Sequence, residues 1–185
     1  MLGPDFAEVL AAAASGDERS FNRLWKDVNP VLLRYLRTLA PAVAEDTASE
    51  TWLEVVRRLG RFTGDEKGFR SWVFTIARSK VVDSWRRQRG HDADLYLDLA
   101  AVSGPAPDDT AGEALEAIST ERALRLIATL PKEQAEVVVL RVVVGLDVSA
   151  VAALVGCSPG AVRVRQHRGL RRLAQILEQA GAVTP

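Results

Sequence analysis

The apolar residues of this chain recur at intervals of three and four and almost nowhere at two, and that regularity confines it to helical folds. Ala48, Trp52, Val55 and Leu59, for example, fall on one face of a helix. An all-α protein is therefore expected. The first helical block runs from about Asp5 to Arg89, with breaks expected at Asn29-Pro30, at Ala40-Pro41 and in the turn-rich stretch Gly60 to Gly68. The second, from about Thr120 to Gly181, reads as helices near 120–129, 132–144, 148–155 and 159–179. Pro131 and Pro159 stand where a first helical turn accepts proline. Between Gly90 and Glu121 the composition changes to eight acidic residues (Asp92, Asp94, Asp98, Asp108, Asp109, Glu113, Glu116, Glu121), no Lys or Arg, and a central Gly104-Pro105-Ala106-Pro107. That is the composition of a flexible linker. The expected organisation is two small helical domains, 1–90 and 120–185, joined by an acidic linker at 91–119.

With 24 basic and 24 acidic residues the formal net charge is zero, so the average gives no sign of nucleic acid. The distribution does. From Arg57 to Arg89 ten basic residues (Arg57, Arg58, Arg61, Lys67, Arg70, Arg78, Lys80, Arg86, Arg87, Arg89) face only Asp65, Glu66 and Asp83, a local balance of +7. From Val148 to Leu177 there is no acid at all, while Arg163, Arg165, Arg168, Arg171 and Arg172 follow one another along one expected helix. Either run alone reads most simply as a solvated helix face; the two together, each tied to a motif, point to nucleic acid.

The motifs are these. Asp147 to Arg163 reads as helix, tight turn, helix: small Ala152 and Ala153 permit close packing, Gly156 can end the first helix, Ser158 can cap the second and Pro159 can start it. That is a helix-turn-helix, whose second helix enters the major groove, and the alternative is an αα-hairpin with a basic outer face. Arg163, Arg165, His167 and Arg168 are the candidate base readers or phosphate clamps, a division that sequence leaves open. Upstream, Phe69 to Arg87 combines aromatics and cations on one helix, the chemistry of single-stranded nucleic acid, although Phe69, Trp72 and Ile76 recur at core spacing and are assigned to the core. The loop Arg61 to Gly68, with one aromatic and glycine-freed amides, can line a pocket for a flipped base. Asp46, Glu50 and Glu54 form an acidic stripe suited to a protein partner, or simply solvated.

Other functions find little support. His91 and His167 are the only histidines, no cluster has metal-ligand spacing, no glycine-rich phosphate loop appears and no nucleophile has a nearby base, so no enzyme, metal, cofactor or small-molecule substrate is expected. The single Cys157 excludes an internal disulfide and reads as a packing residue in a reducing compartment. No signal peptide and no apolar run of the roughly 18 residues needed to span a bilayer are visible, so a cytoplasmic protein without membrane insertion is expected. A dimeric helix-turn-helix regulator acting without polymerase is the competing reading, and the basic aromatic helix argues against it.

At these residues the chain resembles the extracytoplasmic-function sigma factors, the compact bacterial class that keeps only sigma regions two and four, over nearly its whole length. The resemblance implies no catalytic activity and three partners: core RNA polymerase (its β′ clamp helices and β flap), promoter DNA and an anti-sigma factor. Ala44 to Leu53 is similar to the segment that docks on the clamp helices, which assigns Asp46, Ser49, Glu50, Trp52 and Leu53 to polymerase binding. Phe62 to Arg87 resembles the minus-ten reading loop and helix, which implies roles for Phe62, Gly64, Asp65, Lys67, Arg78, Ser79, Lys80, Arg86 and Arg87. Leu130 to Arg141 with Gly145-Leu146 resembles the opening of region four. Gly156 to Arg163 resembles the start of its minus-thirty-five recognition helix, which implies roles for Ser158, Arg163, Val164, Arg165, His167, Arg168 and Arg171. Ser49 stands where Gln is common in the family, Ser79 where Asn is frequent, Val164 where Ser is usual and Leu170 where a further Arg is common. Asp147-Val148-Ser149 replaces the usual Ser, aromatic and acid. Those at Val164 and Leu170 alter the groove-facing helix and bear on the promoter sequence read.

Overall fold

The computed structural model describes residues 2–91 and 111–181, with the side chains of 87–91, 111–119 and 180–181 outside the description. The described residues form helices and no strand. The chain divides into two compact units, Met1–Leu95 and Tyr96–Pro185.

In the first unit the helices are α1 (Phe6–Ala14), α2 (Glu18–Leu39), α3 (Ala44–Arg58) and α4 (Glu66–His91), with 3-10 turns at Gly3–Asp5, Pro41–Val43 and Leu59–Arg61. Asp17 starts α2 by accepting the Ser20 amide at 2.7 Å, which satisfies one of the free N–H groups of a first turn. Leu24, Val28, Leu32, Tyr35 and Leu36 then repeat along one buried face, against which α1, α3 and α4 pack. Tyr35, Phe69 and Phe74 are among the largest fully buried side chains, and the Tyr35 and Phe74 rings meet edge-on at 5.3 Å. Such a pair adds about 0.5–1.5 kcal/mol to the burial of its area.

Helix α2 passes through Pro30 without ending, contrary to the break expected at Asn29-Pro30. Proline removes one N–H and crowds the carbonyl a turn earlier. Here Pro30 lies on the exposed side, while Val28 and Leu32 on either side of it are buried. The buried face therefore holds the helix together across the defect. Asn29 turns inward and accepts the indole N–H of Trp52 at 2.9 Å, so both buried polar groups are satisfied. The breaks expected at Ala40-Pro41 and across Gly60 to Gly68 are present.

The second unit holds α5 (Ala111–Ala128), α6 (Lys132–Val138), α7 (Val148–Val155) and α8 (Pro159–Gly181). Helix α5 begins at Ala111 rather than near Thr120, so the stretch 111–119 is helical in spite of its linker-like composition. Asp92, Asp94, Asp98, Asp108, Asp109 and Gly104 to Pro107 lie outside the described residues. The helix expected at 132–144 changes pitch: Val139–Val143 is a π-helical turn, in which the Val144 amide reaches back to the Val139 carbonyl at 3.0 Å. The core here is aliphatic, with Val137, Val138, Val139, Leu140, Val151 and Val162 almost wholly buried. Helix α8 crosses α6 closely at Gly169, where an added Cβ would stand 2.7 Å from the Val138 Cγ2. No helix among the described residues is long and apolar enough to cross a membrane.

Candidate nucleic-acid interfaces

The turn between α7 and α8 is built as its residues dictate. Asp147 caps α7 by accepting the Ala150 amide at 2.8 Å and the Ser149 hydroxyl at 2.6 Å, and these hydrogen bonds, the Ser149 one foremost, hold its carboxyl below the usual value. Gly156 ends α7 with φ of 74°, a left-handed conformation that glycine adopts without penalty. Ser158 then accepts the Ala161 amide at 3.2 Å and so caps α8; this residue, expected at the DNA, also serves the helix start. Cys157 is half-buried in the turn, with a free thiol.

Along α8, Arg163, His167 and Arg171 repeat every four residues, and Val164 and Arg168 stand beside them; all five are exposed. No ion pair among the described residues engages Arg163, Arg168 or Arg171. An unpaired guanidinium on a rigid helix is ready to meet a guanine edge or a phosphate. Arg165 is half-buried, toward the flank of this face. Arg172, absent from the expected set although it follows Arg168 by one turn, joins Arg168 and Arg171 around a concave flank of about 580 Å3 beside Thr129 and Gln134. From behind, Arg141 in the π-turn donates to the Gln166 Oε1 at 3.2 Å and to the Leu146 carbonyl, tying turn, loop and α8 together.

In the first unit a second cavity, of about 550 Å3, is lined by Arg58, Arg61, Phe62, Thr63 and Trp72. Its apolar wall is the Phe62 and Trp72 pair, stacked with centroids 5.0 Å apart and planes 27° from parallel. Phe69 backs both rings, at 5.5 Å from Phe62 and 5.9 Å from Trp72. Trp72, assigned to the core by its spacing, is only half-buried and lines the cavity; Phe69 and Ile76 are buried. Gly64 has φ of 154°, and a Cβ there would come within 3.0 Å of the Phe62 ring, so the loop folds over the ring only with glycine. Asp65 is exposed, but one carboxylate oxygen accepts the Gly68 amide at 2.8 Å and caps α4.

Further along, the other expected minus-ten residues differ in their engagement. Lys67 and Ser79 are exposed and Arg78 is half-buried. Lys80 pairs with Glu50 at 3.1 Å and Arg86 with Asp83 at 3.6 Å. The side chain of Arg87 lies outside the described residues. Arg70, part of the same basic run, forms a largely buried pair with Asp27 at 2.8 Å and serves the fold.

Of the polymerase-facing set, Asp46, Ser49, Glu50 and Leu53 are exposed along one side of α3, and Val56 extends the stripe one turn further. Leu53 and Val56 are more than half exposed, at 58% and 55%. Trp52 is not on that side: it is 7% exposed and bonded to Asn29, so it positions α3 instead of offering contact. Among the described residues no group of three or more His, Cys, Asp or Glu could hold a metal ion.

Comparison with known proteins fits this division. Residues 24–91 match the Sigma-70 region 2 family and residues 120–173 the Sigma-70, region 4 family. The ECF RNA polymerase sigma factor SigD of Mycobacterium tuberculosis is 35% identical over 191 residues, which covers 98% of this chain and 88% of SigD. The ECF RNA polymerase sigma factor ShbA of Streptomyces griseus is 36% identical over 181 residues, covering 92% of this chain and 94% of ShbA. The fold is shared with the sigma factor RpoE of Bartonella quintana, solved in complex with the anti-sigma factor NepR, at a TM-score of 0.65 and 21% identity over 86% of this chain and 98% of RpoE. The chain belongs to the ECF family of RNA polymerase sigma factors.

Proposed function

We propose a division of labour between the two units in promoter recognition. In the first, the outward stripe of α3 docks on the polymerase β′ clamp helices: Leu53 and Val56 supply apolar area, and Asp46, Ser49 and Glu50 surround it with polar and acidic groups. The cavity beside Phe62 and Trp72 then receives an unpaired base of the minus-ten element. A base stacked on an aromatic ring contributes about 1–3 kcal/mol, and Arg58 and Arg61 at the rim suit the adjoining phosphates. In the second unit, Arg163, Val164, His167, Arg168 and Arg171 face the minus-thirty-five duplex, where a bidentate arginine on guanine gives about 1–3 kcal/mol of discrimination. The unit also meets the β flap. The protein works without chemistry of its own, and an anti-sigma factor, of the kind solved with RpoE, controls it.

The observation that carries this reading is the pairing of an open aromatic cavity in one unit with an acid-free cationic helix face in the other. Run-off transcription with core RNA polymerase and a pool of genomic promoter fragments tests it. Initiation should appear only when the protein is added and disappear when Arg163 and Arg168 are changed to Ala. Retention of particular duplexes by the protein alone, with no fragment transcribed, would overturn the assignment.

A further inference from the structure

The side chain of Glu66, at the start of α4, reaches back across the sequence to the beginning of the chain. Its Oε1 accepts the Leu2 amide at 2.7 Å and its Oε2 the Gly3 amide at 3.0 Å. Two successive N–H groups converge on one carboxylate because Gly3 takes φ of +61°, a left-handed conformation suited to glycine. Hydrogen bonds to an ionised acceptor are stronger than neutral ones, and a carboxylate at a helix N-terminus also meets the positive end of the helix dipole. A second tether, Arg23 to Asp5 at 3.1 Å, holds the same segment to α2.

What the clasp leads to gives it a function. The clasped residues run directly into the 3-10 turn Gly3–Asp5 and then α1, whose first residue, Phe6, is 4% exposed and meets Phe69 at 5.8 Å. Phe69 touches both Phe62 and Trp72, and α1 also packs against the 3-10 turn Leu59–Arg61, where the loop begins. A continuous row of rings thus joins the clasp to the wall of the base cavity. We infer that Glu66 is a positioning residue for base capture: by holding Leu2 and Gly3 it seats Phe6 on Phe69 and fixes the Phe62 and Trp72 stack in the orientation that an unpaired base meets. This rests on the reading of that cavity as the base site.

A purely structural role predicts something different. The packed helices α2, α3 and α4 bury Tyr35, Phe74, Val55 and Val81 without help from Glu66, and Gly3, the more open of the two clasped residues, can turn its amide to water. The test uses reconstituted holoenzyme and a single-stranded minus-ten oligonucleotide, taken from a promoter found by run-off transcription, with 2-aminopurine at the captured position. Glu66→Ala should weaken oligonucleotide binding about five- to tenfold, somewhat less than loss of a whole stacking ring. Glu66→Gln, which keeps one acceptor oxygen, should fall between it and the parent. Polymerase affinity and Tm should stay close to the parent values for both. Phe62→Ala serves as the control. If Phe62→Ala weakens binding and Glu66→Ala does not, the positioning role is wrong and the base site stands. If neither change matters, the base-site reading fails and the inference with it. A parallel fall in Tm and polymerase affinity for both Glu66 variants would make the clasp merely structural and would also overturn the proposal.

Discussion

The first unit contains every aromatic ring among the described residues, and the second contains none. The two units therefore solve packing and recognition with different materials. Rings fill the first core with broad planes, and where the packing reaches the surface at Phe62 and Trp72 the same planes are open to an unpaired base. The second core is made of valine, leucine and alanine, side chains too short to span widely spaced helices, so the backbones come together until only glycine fits at position 169. Its recognition surface correspondingly uses cations on a helix, which read a duplex without entering it. Melted strands require stacking surfaces; an intact groove requires guanidinium groups on a rigid rod.

Three experiments can break or sharpen this contrast. The largest effect is expected from Phe74→Ala, which removes a fully buried ring from its edge contact with Tyr35 and should cost about 3–5 kcal/mol. Urea unfolding followed by tryptophan emission is the measurement, because all four tryptophans, Trp25, Trp52, Trp72 and Trp85, lie in the first unit. A loss below about 1 kcal/mol would deny that the rings carry this core.

Next comes Gly169→Ala. One methyl group forced toward the Val138 side chain should cost about 1–3 kcal/mol. The loss should appear in the far-ultraviolet circular dichroism of unfolding while the tryptophan transition keeps its midpoint. A shift of both would show that the two cores do not melt separately.

The smallest effect concerns what the units share, an aspartate cap. Hydrogen bonds to Ser20 hold the Asp17 carboxyl below its usual value, and those to Ser149 and Ala150 do the same for Asp147. A carboxyl whose folded pKa is depressed contributes stability that is fully present above the unfolded value, about 3.9, and is lost as the pH falls through the lower folded value. Both units should therefore weaken on acidification below about pH 4. Asp147→Asn keeps an oxygen for the Ala150 amide but cannot titrate. It should flatten the acid dependence of the dichroism midpoint and leave the emission midpoint following Asp17. An unchanged acid limb in the dichroism would remove Asp147 as a source of the pH dependence.

How far the sequence speaks for itself varies along the chain. Helix α8 and the turn before it were legible because their determinants are local: a glycine, a capping serine, a proline and charge at helical spacing. Pro30 misled because the rule for proline counts the lost hydrogen bond and not the buried face of Leu24, Val28, Leu32 and Tyr35 that spans it. The run Val137 to Val144 contains no residue that marks a change of pitch, so the π-turn was invisible. At the candidate sites, composition identified the right segments but not the direction of each side chain. Trp72 reads as core by spacing yet lines a cavity, Trp52 reads as a docking residue yet is buried against Asn29, and Asp65 and Ser158 each give an oxygen to a helix start.

The π-turn at Val139–Val143 has a consequence that can be stated as counting. A π-turn is an α-helix that has taken in one extra residue, and each residue of an α-helix advances the chain by roughly 100° and 1.5 Å. Deleting a single valine from this stretch would restore regular pitch while rotating everything after it by about that angle. Arg141 could then no longer face both Gln166 and the Leu146 carbonyl, and α7 would be presented to α8 in the wrong phase. The reading head is thus timed by one surplus residue, and a shorter chain would be a more regular helix carrying a misaimed hand.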